Sequence, residues 1–180
     1  MNGKYHSPEP WATEQDIASL TNMIIKFFKL KDGEDLEPFV KRLNGEINYQ
    51  PIGKNDSASI TVEKDGKFQI HLPQMLFPLR ERLYIAHELA HLFLHFYFKR
   101  GTKKVPLIAH HNGLGEAERV EHEANVFARM FLMPANSITS VASKFNNDIS
   151  SMATYFKVPE AIVRQRMDDI DVCSKVSYEN

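Results

Sequence analysis

The sequence predicts an α+β fold in which a small β-sheet is followed by two long helices. Apolar and polar residues alternate on both sides of Asp65-Gly66, as in a β-hairpin. Residues 79–99 form a largely apolar run without Pro or Gly, which indicates one helix of about five turns. This run contains His87-Glu88-Leu89-Ala90-His91. Residues 116–134 then repeat apolar side chains at helical spacing, among several glutamates.

The N-terminal segment predicts two helices and a strand. Thr13 is a candidate N-cap for a helix that runs to about Lys31 and ends at Asp32-Gly33. Residues 35–43 predict a short second helix closed by Asn44-Gly45, and residues 47–49 predict a short strand. One face of the first helix is expected to enter the core, and it consists of Ile17, Leu20, Ile24, Phe27 and Phe28.

The predicted hairpin pairs residues 59–63 with residues 67–72, and two prolines end the sheet before the metal-binding helix. An edge strand beside such a helix can receive an extended substrate as one more strand. We expect residues 67–72 to be this edge strand, with an ordinary core strand as the alternative. Residues 99–115 contain glycines and basic side chains, and they predict a loop between the two ligand helices.

The spacing of His87, Glu88 and His91 predicts a hydrolytic zinc site. Positions i and i+4 of an α-helix lie on one face, about 5–6 Å apart, so both imidazoles can bind one ion at about 2.0–2.1 Å. Glu88 is rotated about 100° from His87 and is poorly placed to share the metal. It can instead act as the general base on the water that the metal activates. Without a partner such as a metal, burying these polar groups would be costly.

A catalytic zinc normally has three protein ligands, and the helix at 116–134 offers Glu118, Glu121 and Glu123. At about 100° per residue, Glu121 lies roughly 70° from the centre of the apolar stripe, Glu118 about 130° and Glu123 about 90° on the opposite flank. Glu121 is therefore the predicted third ligand. Asn125, one turn later, is a candidate for orienting a ligand, with a solvated amide as the alternative. The apolar stripe consists of Val120, Ala124, Phe127, Ala128 and Phe131.

Three other histidines are weaker candidates for the third ligand. His95 is four residues after His91, but a straight helix would carry it a full turn from the metal. We expect His95 to pack against a neighbouring element or hydrogen-bond to it. His110 and His111 lie in the predicted loop, just before Asn112-Gly113.

Two stretches of the sequence together resemble the ImmA/IrrE family of zinc peptidases. Residues 82–95 read RLYIAHELAHLFLH, and residues 121–134 read EHEANVFARMFLMP. They match a family pattern of a histidine-glutamate zinc helix, then glutamate-x-x-alanine-asparagine-x-phenylalanine-alanine, ending in leucine or methionine before proline. The resemblance covers residues 58–136. It departs in detail, because Ala90 replaces the usual glycine and Arg129 replaces an alanine common in the family.

The resemblance implies a role for each motif residue. His87, His91 and Glu121 correspond to zinc ligands and Glu88 to the base, in agreement with the helical phase. It implies a zincin-like, gluzincin-type catalytic domain with one Zn2+, although such ligands also suit Mn2+. Some family members cleave or antagonise transcriptional repressors of mobile genetic elements. The resemblance therefore implies a specific regulatory protein, such as a helix-turn-helix repressor, as the substrate.

Composition and charge argue against several classes of protein. The 180 residues carry 22 basic and 23 acidic side chains, so charge does not favour nucleic acid or an anionic membrane as a partner. No segment approaches the roughly 18 apolar residues of a membrane-spanning helix, and the first eight residues lack the apolar core of a secretory signal. Cys173 is the single cysteine and cannot form an internal disulfide, which fits a reducing cytoplasm.

The chain is expected to form one domain over residues 1–180. Within it we expect an N-terminal helical part at 13–52, the zincin-like core at 58–136 and a C-terminal helical subdomain at 137–172. Residues 149–167 resemble a helix-turn-helix with its turn at Lys157-Val158. Direct DNA binding is not expected, because acidic residues outnumber basic ones in this subdomain. The basic residues are Lys157, Arg164 and Arg166, and the acidic ones are Glu160, Asp168, Asp169 and Asp171.

Peptide hydrolysis is the function that the sequence favours, with Glu88 taking a proton from water and returning it to the leaving nitrogen. A second donor to the oxyanion is open among Tyr155, His95 and His110. One alternative is a non-catalytic protein that uses a zincin scaffold to bind a repressor, and the presence of Glu88 argues against it. Another is a DNA-binding regulator acting through the C-terminal segment, which its acidic charge disfavours.

Overall fold

The structure is a computed structural model that describes residues 12–51, 58–98, 107–110 and 116–176. These residues adopt the predicted α+β arrangement. The helices are α1 (Glu14–Phe28), α2 (Glu37–Arg42), α3 (Pro78–Ala90), α4 (Glu116–Leu132), α5 (Ala135–Lys144), α6 (Ile149–Phe156) and α7 (Glu160–Val176). The strands are β1 (Gly45–Gln50), β2 (Ser59–Val62), β3 (Phe68–Pro73) and β4 (Leu107–His110). A π-helical segment, His91–Phe98, continues α3 directly.

The four strands form one sheet with the order β1-β3-β2-β4. β3 pairs in parallel with β1 and antiparallel with β2, which in turn pairs antiparallel with β4. The predicted hairpin is confirmed, and Gly66 in its turn has a φ of 91°, where glycine is favoured. Gly45 in β1 lies under the ring of Phe68 in β3. A Cβ atom at Gly45 would lie 2.2 Å from that ring, so the close approach requires glycine.

Two predictions about this part of the chain are wrong. Residues 67–72 do not form an edge strand, because β3 lies inside the sheet with β1 on one side and β2 on the other. Its backbone groups bond to those neighbours and are not available to a substrate strand. The predicted loop at 99–115 contains a strand, β4, which pairs with β2. Within the described residues, β1 and β4 are the strands at the two ends of the sheet.

Helix α1 begins as predicted but ends earlier than expected. Thr13 caps it, and the Thr13 side chain accepts a hydrogen bond from the backbone of Asp16 while the Asp16 carboxylate accepts one from the backbone of Thr13. Lys29 adopts a left-handed conformation that ends the helix three residues before its predicted end at about Lys31. Phe27 was expected in the core, but it is 77% exposed because the buried face ends at Ile24.

The helix that contains His87 and His91 is not a single α-helix. Its α-helical part begins at Pro78 and ends at Ala90, and residues 91–98 continue it as a π-helix with hydrogen bonds from i to i+5. The prediction of one α-helix over residues 79–99 is therefore wrong in its second half. The change falls at His91, the second histidine of the motif, so it alters the direction of the side chains that follow.

Helix α4 contacts both α3 and α1, and this arrangement positions the candidate site. The predicted apolar stripe of α4 is buried, with Val120, Ala124, Phe127, Ala128 and Phe131 all inside the core. The Phe127 ring stacks on Phe93 of the π-helical segment at 6.1 Å between centroids and on Phe131 at 5.6 Å. Apolar packing therefore fixes α4 against the helix that carries the histidines.

Polar contacts attach α7 to α4 and to Met133, the residue that follows α4. α6 and α7 are separated by a turn at Lys157, which has a φ of 53°. The Arg166 Nε atom donates to the Met133 carbonyl oxygen at 3.0 Å, and the Arg129 Nε atom donates to Asp169 at 2.9 Å. Arg166 is buried, so it does not contribute to a basic surface. Among the described helices, none has both the length and the apolar character needed to cross a bilayer.

Candidate metal centre

Three predicted site residues, His87, His91 and Glu121, come together between α3 and α4. The His87 Nε2 atom lies 3.3 Å from His91 Nε2 and 3.1 Å from Glu121 Oε2. The His91 Nε2 atom lies 3.6 Å from Glu121 Oε1. The helical spacing of the two histidines and the phase of Glu121 therefore predict a grouping of side chains that is present in the structure.

The separations between these atoms fit a tetrahedral metal ion. Ligand atoms bonded to one ion at about 2.0–2.2 Å are about 3.3–3.6 Å apart in that geometry. The three observed separations lie within about 0.2 Å of that range, and the two that involve Glu121 end at its two different carboxylate oxygens. Two imidazole nitrogens and a carboxylate are also the ligand types that catalytic zinc takes. Both the distances and the chemistry of the donor set therefore fit the ion.

The site has a closed side and an open side. The His87 and His91 side chains are only 4% and 1% exposed, whereas the Glu121 side chain is 20% exposed. The histidines are surrounded by the buried core of α3. Solvent can therefore reach the candidate ligand atoms from the side on which Glu121 lies.

The Asn125 amide orients His87. Its Oδ1 atom lies 3.0 Å from His87 Nδ1. An amide oxygen only accepts hydrogen bonds, so His87 Nδ1 carries the proton and donates it. The Nε2 atom of a neutral His87 then presents its lone pair toward Glu121 and His91. The predicted orienting contact of Asn125 is thus present, although the Asn125 side chain is exposed.

Among the side chains that the structure describes, those of Glu118 and Tyr155 do not join this cluster. Glu118 is exposed on α4. His110 ends β4 rather than lying in a loop, and His111 lies outside the described residues. The Tyr155 hydroxyl donates to Asp32 at 3.4 Å, which ties Tyr155 to the connection between α1 and α2.

Comparison with protein families matches residues 40–168 to Peptidase M78, described as the IrrE N-terminal-like domain. The match covers more than two thirds of the chain. The chain belongs to this peptidase family. No curated protein matches it at a significant level. A solved structure described as a Mycobacterium tuberculosis transcriptional regulator aligns with a TM-score of 0.59 and 17% sequence identity. The alignment covers 82% of this chain and 45% of that chain, and it shows a shared fold.

Membership of this M78 family indicates a metallopeptidase with a zincin-like fold, and the described structure contains a candidate His-His-Glu metal site. Glu88, the predicted base, follows His87 on α3 and is buried. Its position in the chain places it in the same helical turn as the first candidate ligand. Glu88 and the candidate metal site therefore lie in one part of the molecule.

Sequence reasoning missed one buried contact beside the candidate site of this M78 domain, at Glu123. The helical phase put Glu123 on the flank of α4 opposite to that of Glu121. It is buried, and its carboxylate lies 3.0 Å from the Nε2 atom of His95. The expectation that His95 hydrogen-bonds to a neighbouring element is confirmed. Apart from its two-residue spacing from Glu121, nothing in the sequence of α4 marks Glu123.

Proposed function

We propose that this protein is a zinc-dependent endopeptidase that cleaves a specific regulatory protein. The observation that carries the proposal is the separation of 3.1–3.6 Å among the candidate ligand atoms of His87, His91 and Glu121. Such a spacing matches that of ligands around one zinc ion. The peptidase family of the chain supports hydrolysis as the chemistry.

In this proposal each residue of the site has one role. His87, His91 and Glu121 hold the ion. A bound zinc ion supplies a Lewis acid that polarises a carbonyl group and lowers the pKa of water. Glu88 takes a proton from the attacking water and returns it to the leaving amide nitrogen, which makes the amine a better leaving group. Asn125 holds His87 with its Nε2 atom toward the ion.

The proposed substrate is a regulatory protein, such as a helix-turn-helix repressor of a mobile genetic element. The support is the resemblance of residues 82–95 and 121–134 to the ImmA/IrrE family, some of whose members act on such repressors. The single cysteine supports a reducing compartment, the cytoplasm, as the place of action. The chain is proposed to act on protein rather than on DNA, because Arg166 is buried and Arg164 lies 3.5 Å from Glu160.

The variant Glu88→Gln tests the role of the base. It removes the proton acceptor and keeps the size of the side chain, so we expect full zinc content and a loss of cleavage of about 10²-fold or more. The measurement is mass spectrometry of proteins encoded beside this chain after incubation with zinc-loaded wild-type or variant protein. Glu118→Gln is the matched control, because Glu118 is exposed on α4, and it should cleave like the wild type.

Two outcomes would contradict the proposal in different ways. Cleavage by Glu88→Gln at the wild-type rate would assign the base to another residue. A zinc-loaded wild-type protein that cleaves neither its encoded neighbours nor a proteome-derived peptide library would favour the alternative, a zincin scaffold that binds a repressor without cutting it.

A further inference from the structure

The second nitrogen of His91 begins a chain of buried polar contacts that leads away from the candidate metal site. His91 Nδ1 lies 3.1 Å from His95 Nδ1, and His95 Nε2 lies 3.0 Å from Glu123 Oε2. The other carboxylate oxygen of Glu123 accepts a hydrogen bond from the Ala12 backbone N–H at 3.1 Å. His95 is 0% exposed and Glu123 is 5% exposed. The chain therefore crosses from the π-helical segment to α4 and then to the residue before the Thr13 cap.

The direction of each hydrogen bond in this series follows from the carboxylate of Glu123 at its end. A carboxylate only accepts hydrogen bonds, so the Nε2 atom of His95 donates to Glu123. A neutral His95 then has an unprotonated Nδ1 atom, which accepts a hydrogen bond from His91 Nδ1. With its proton on Nδ1, a neutral His91 presents the lone pair of Nε2, the atom that lies beside His87 and Glu121.

We propose that His95 and Glu123 are positioning residues that fix the tautomer and the ring orientation of His91 for metal binding. This inference rests on the proposed function, because it takes His91 as a ligand. Carboxylate partners of ligating histidines generally raise the basicity of the ligand and strengthen metal binding. In this chain a second histidine lies between the ligand and the carboxylate, so the effect of Glu123 passes through His95.

The π-helical segment and the backbone just before α1 make this arrangement possible. Segments with i to i+5 hydrogen bonds often occur at functional sites, where they change the direction of side chains. His95 lies in the first turn of this segment, where its two nitrogens meet His91 on one side and Glu123 on the other. The Ala12 N–H donates to Oε1 of Glu123, and His95 Nε2 lies against Oε2 of the same carboxylate.

The variant Glu123→Gln tests the proposal because it reverses the direction of the hydrogen bonds from residue 123 through His95 to His91. The size and shape of the side chain stay nearly the same. In the variant the Ala12 N–H donates to the amide oxygen, so the amide NH2 group faces His95 Nε2. His95 Nε2 must then accept a hydrogen bond from that NH2 group. His95 Nδ1 becomes a donor to His91, and His91 is driven to the tautomer with its proton on Nε2. We expect the Kd for zinc to rise about 10–100-fold, measured by competition with a chromophoric chelator. Glu118→Gln is the control and should bind zinc like the wild type.

A second measurement does not depend on how the variant folds. Long-range ¹H–¹⁵N spectra of wild-type protein with zinc should show His95 protonated on Nε2 only and His91 protonated on Nδ1 only. A proton on His95 Nδ1, or an unchanged zinc Kd in a folded Glu123→Gln variant, would overturn the inference. A wild-type protein that binds no zinc would instead overturn the proposed function, so the two failures are distinguishable.

Discussion

The two histidines of the candidate metal centre are held through their second nitrogens by partners of different chemistry. The Asn125 amide, on the exposed face of α4, accepts from His87. The buried pair of His95 and Glu123 contacts His91. Because the partner of one ring nitrogen decides which tautomer the other nitrogen presents, both histidines are set to direct Nε2 at the same point.

Replacing Asn125 tests the simpler of these two contacts. Asn125→Ala removes the acceptor of the His87 Nδ1 proton, so the ring loses its preferred orientation and the zinc Kd should rise about 10–100-fold. Competition with a chromophoric chelator measures it. Asn136→Ala, at an exposed amide on α5, is the control and should leave the Kd unchanged. Equal affinity in the two variants would mean that the amide does not orient His87.

At the scale of residues, the spacing along a single helix predicted the candidate ligands. It did not predict the contact of Glu123 with His95, because that contact also depends on α1 and Ala12. Glu121 followed from its phase on α4, because the stripe that faces α3 could be identified from α4 alone. Glu123 lies on a flank that α4 by itself leaves open. It is buried because α1 packs there and Ala12 donates to its carboxylate. No local pattern in residues 116–134 contains that information.

At the scale of elements, the site depends on how closely α3 and α4 approach. Glu121 comes from α4, while both histidines come from the α3 side, so any displacement of α4 changes the separation of the ligand atoms. Ala124 lies three residues after Glu121 and is completely buried. Its small side chain allows α3 and α4 to approach closely, and its complete burial agrees with that.

Ala124→Leu should therefore affect both stability and metal binding. The added volume has no room in a packed core, and we expect the free energy of unfolding to fall by about 1–3 kcal/mol, as measured by denaturant titration of the metal-free protein. Zinc should bind more weakly, because α4 carries Glu121. Ala161→Leu, on the exposed face of α7, is the matched control. Wild-type stability in Ala124→Leu would show that the core has space at this position.

The elements also show where periodicity is not enough. The hairpin of β2 and β3 was predicted because its turn and both strands are local. The interior position of β3 was not predicted. Its parallel neighbour β1 is separated from it in the sequence by the segment that includes β2, so no local pattern indicates that pairing. The π-helical segment was also not predicted. Its residues, such as Leu92 and Phe93, are mostly apolar, and a run of apolar residues is equally compatible with an α-helix.

At the scale of the whole molecule, metal binding should stabilise the fold, because the ligands come from two separate parts of the chain. At a zinc concentration about 100-fold above its Kd, the added stability is about 2.7 kcal/mol, which corresponds to a rise in Tm of about 5–10 °C for a chain of this size. Thermal unfolding with zinc and then with excess chelator measures it.

The variant Glu121→Ala should lose this rise in Tm along with stoichiometric zinc, whereas Glu118→Ala should keep both. The physical reason is that the Glu121 carboxylate lies within 3.6 Å of both histidine Nε2 atoms, whereas the Glu118 side chain is exposed. Full zinc content in Glu121→Ala would mean that the third ligand comes from elsewhere.

Across the whole chain, the motif stretches carried more information than the segments that surround them. Residues 82–95 and 121–134 indicated the peptidase family that the comparison over residues 40–168 shows. The attachment of α7 through Arg166 and Asp169 could not be foreseen, because the charge count of the C-terminal segment does not reveal which basic side chain is buried.

The central claim is that His87, His91 and Glu121 bind one metal ion. Anomalous X-ray diffraction at the zinc absorption edge, from crystals grown with one equivalent of zinc, tests it most directly. We expect one strong peak about 2.0–2.2 Å from both Nε2 atoms and from a Glu121 oxygen. A peak elsewhere, or no peak between α3 and α4, would contradict the claim.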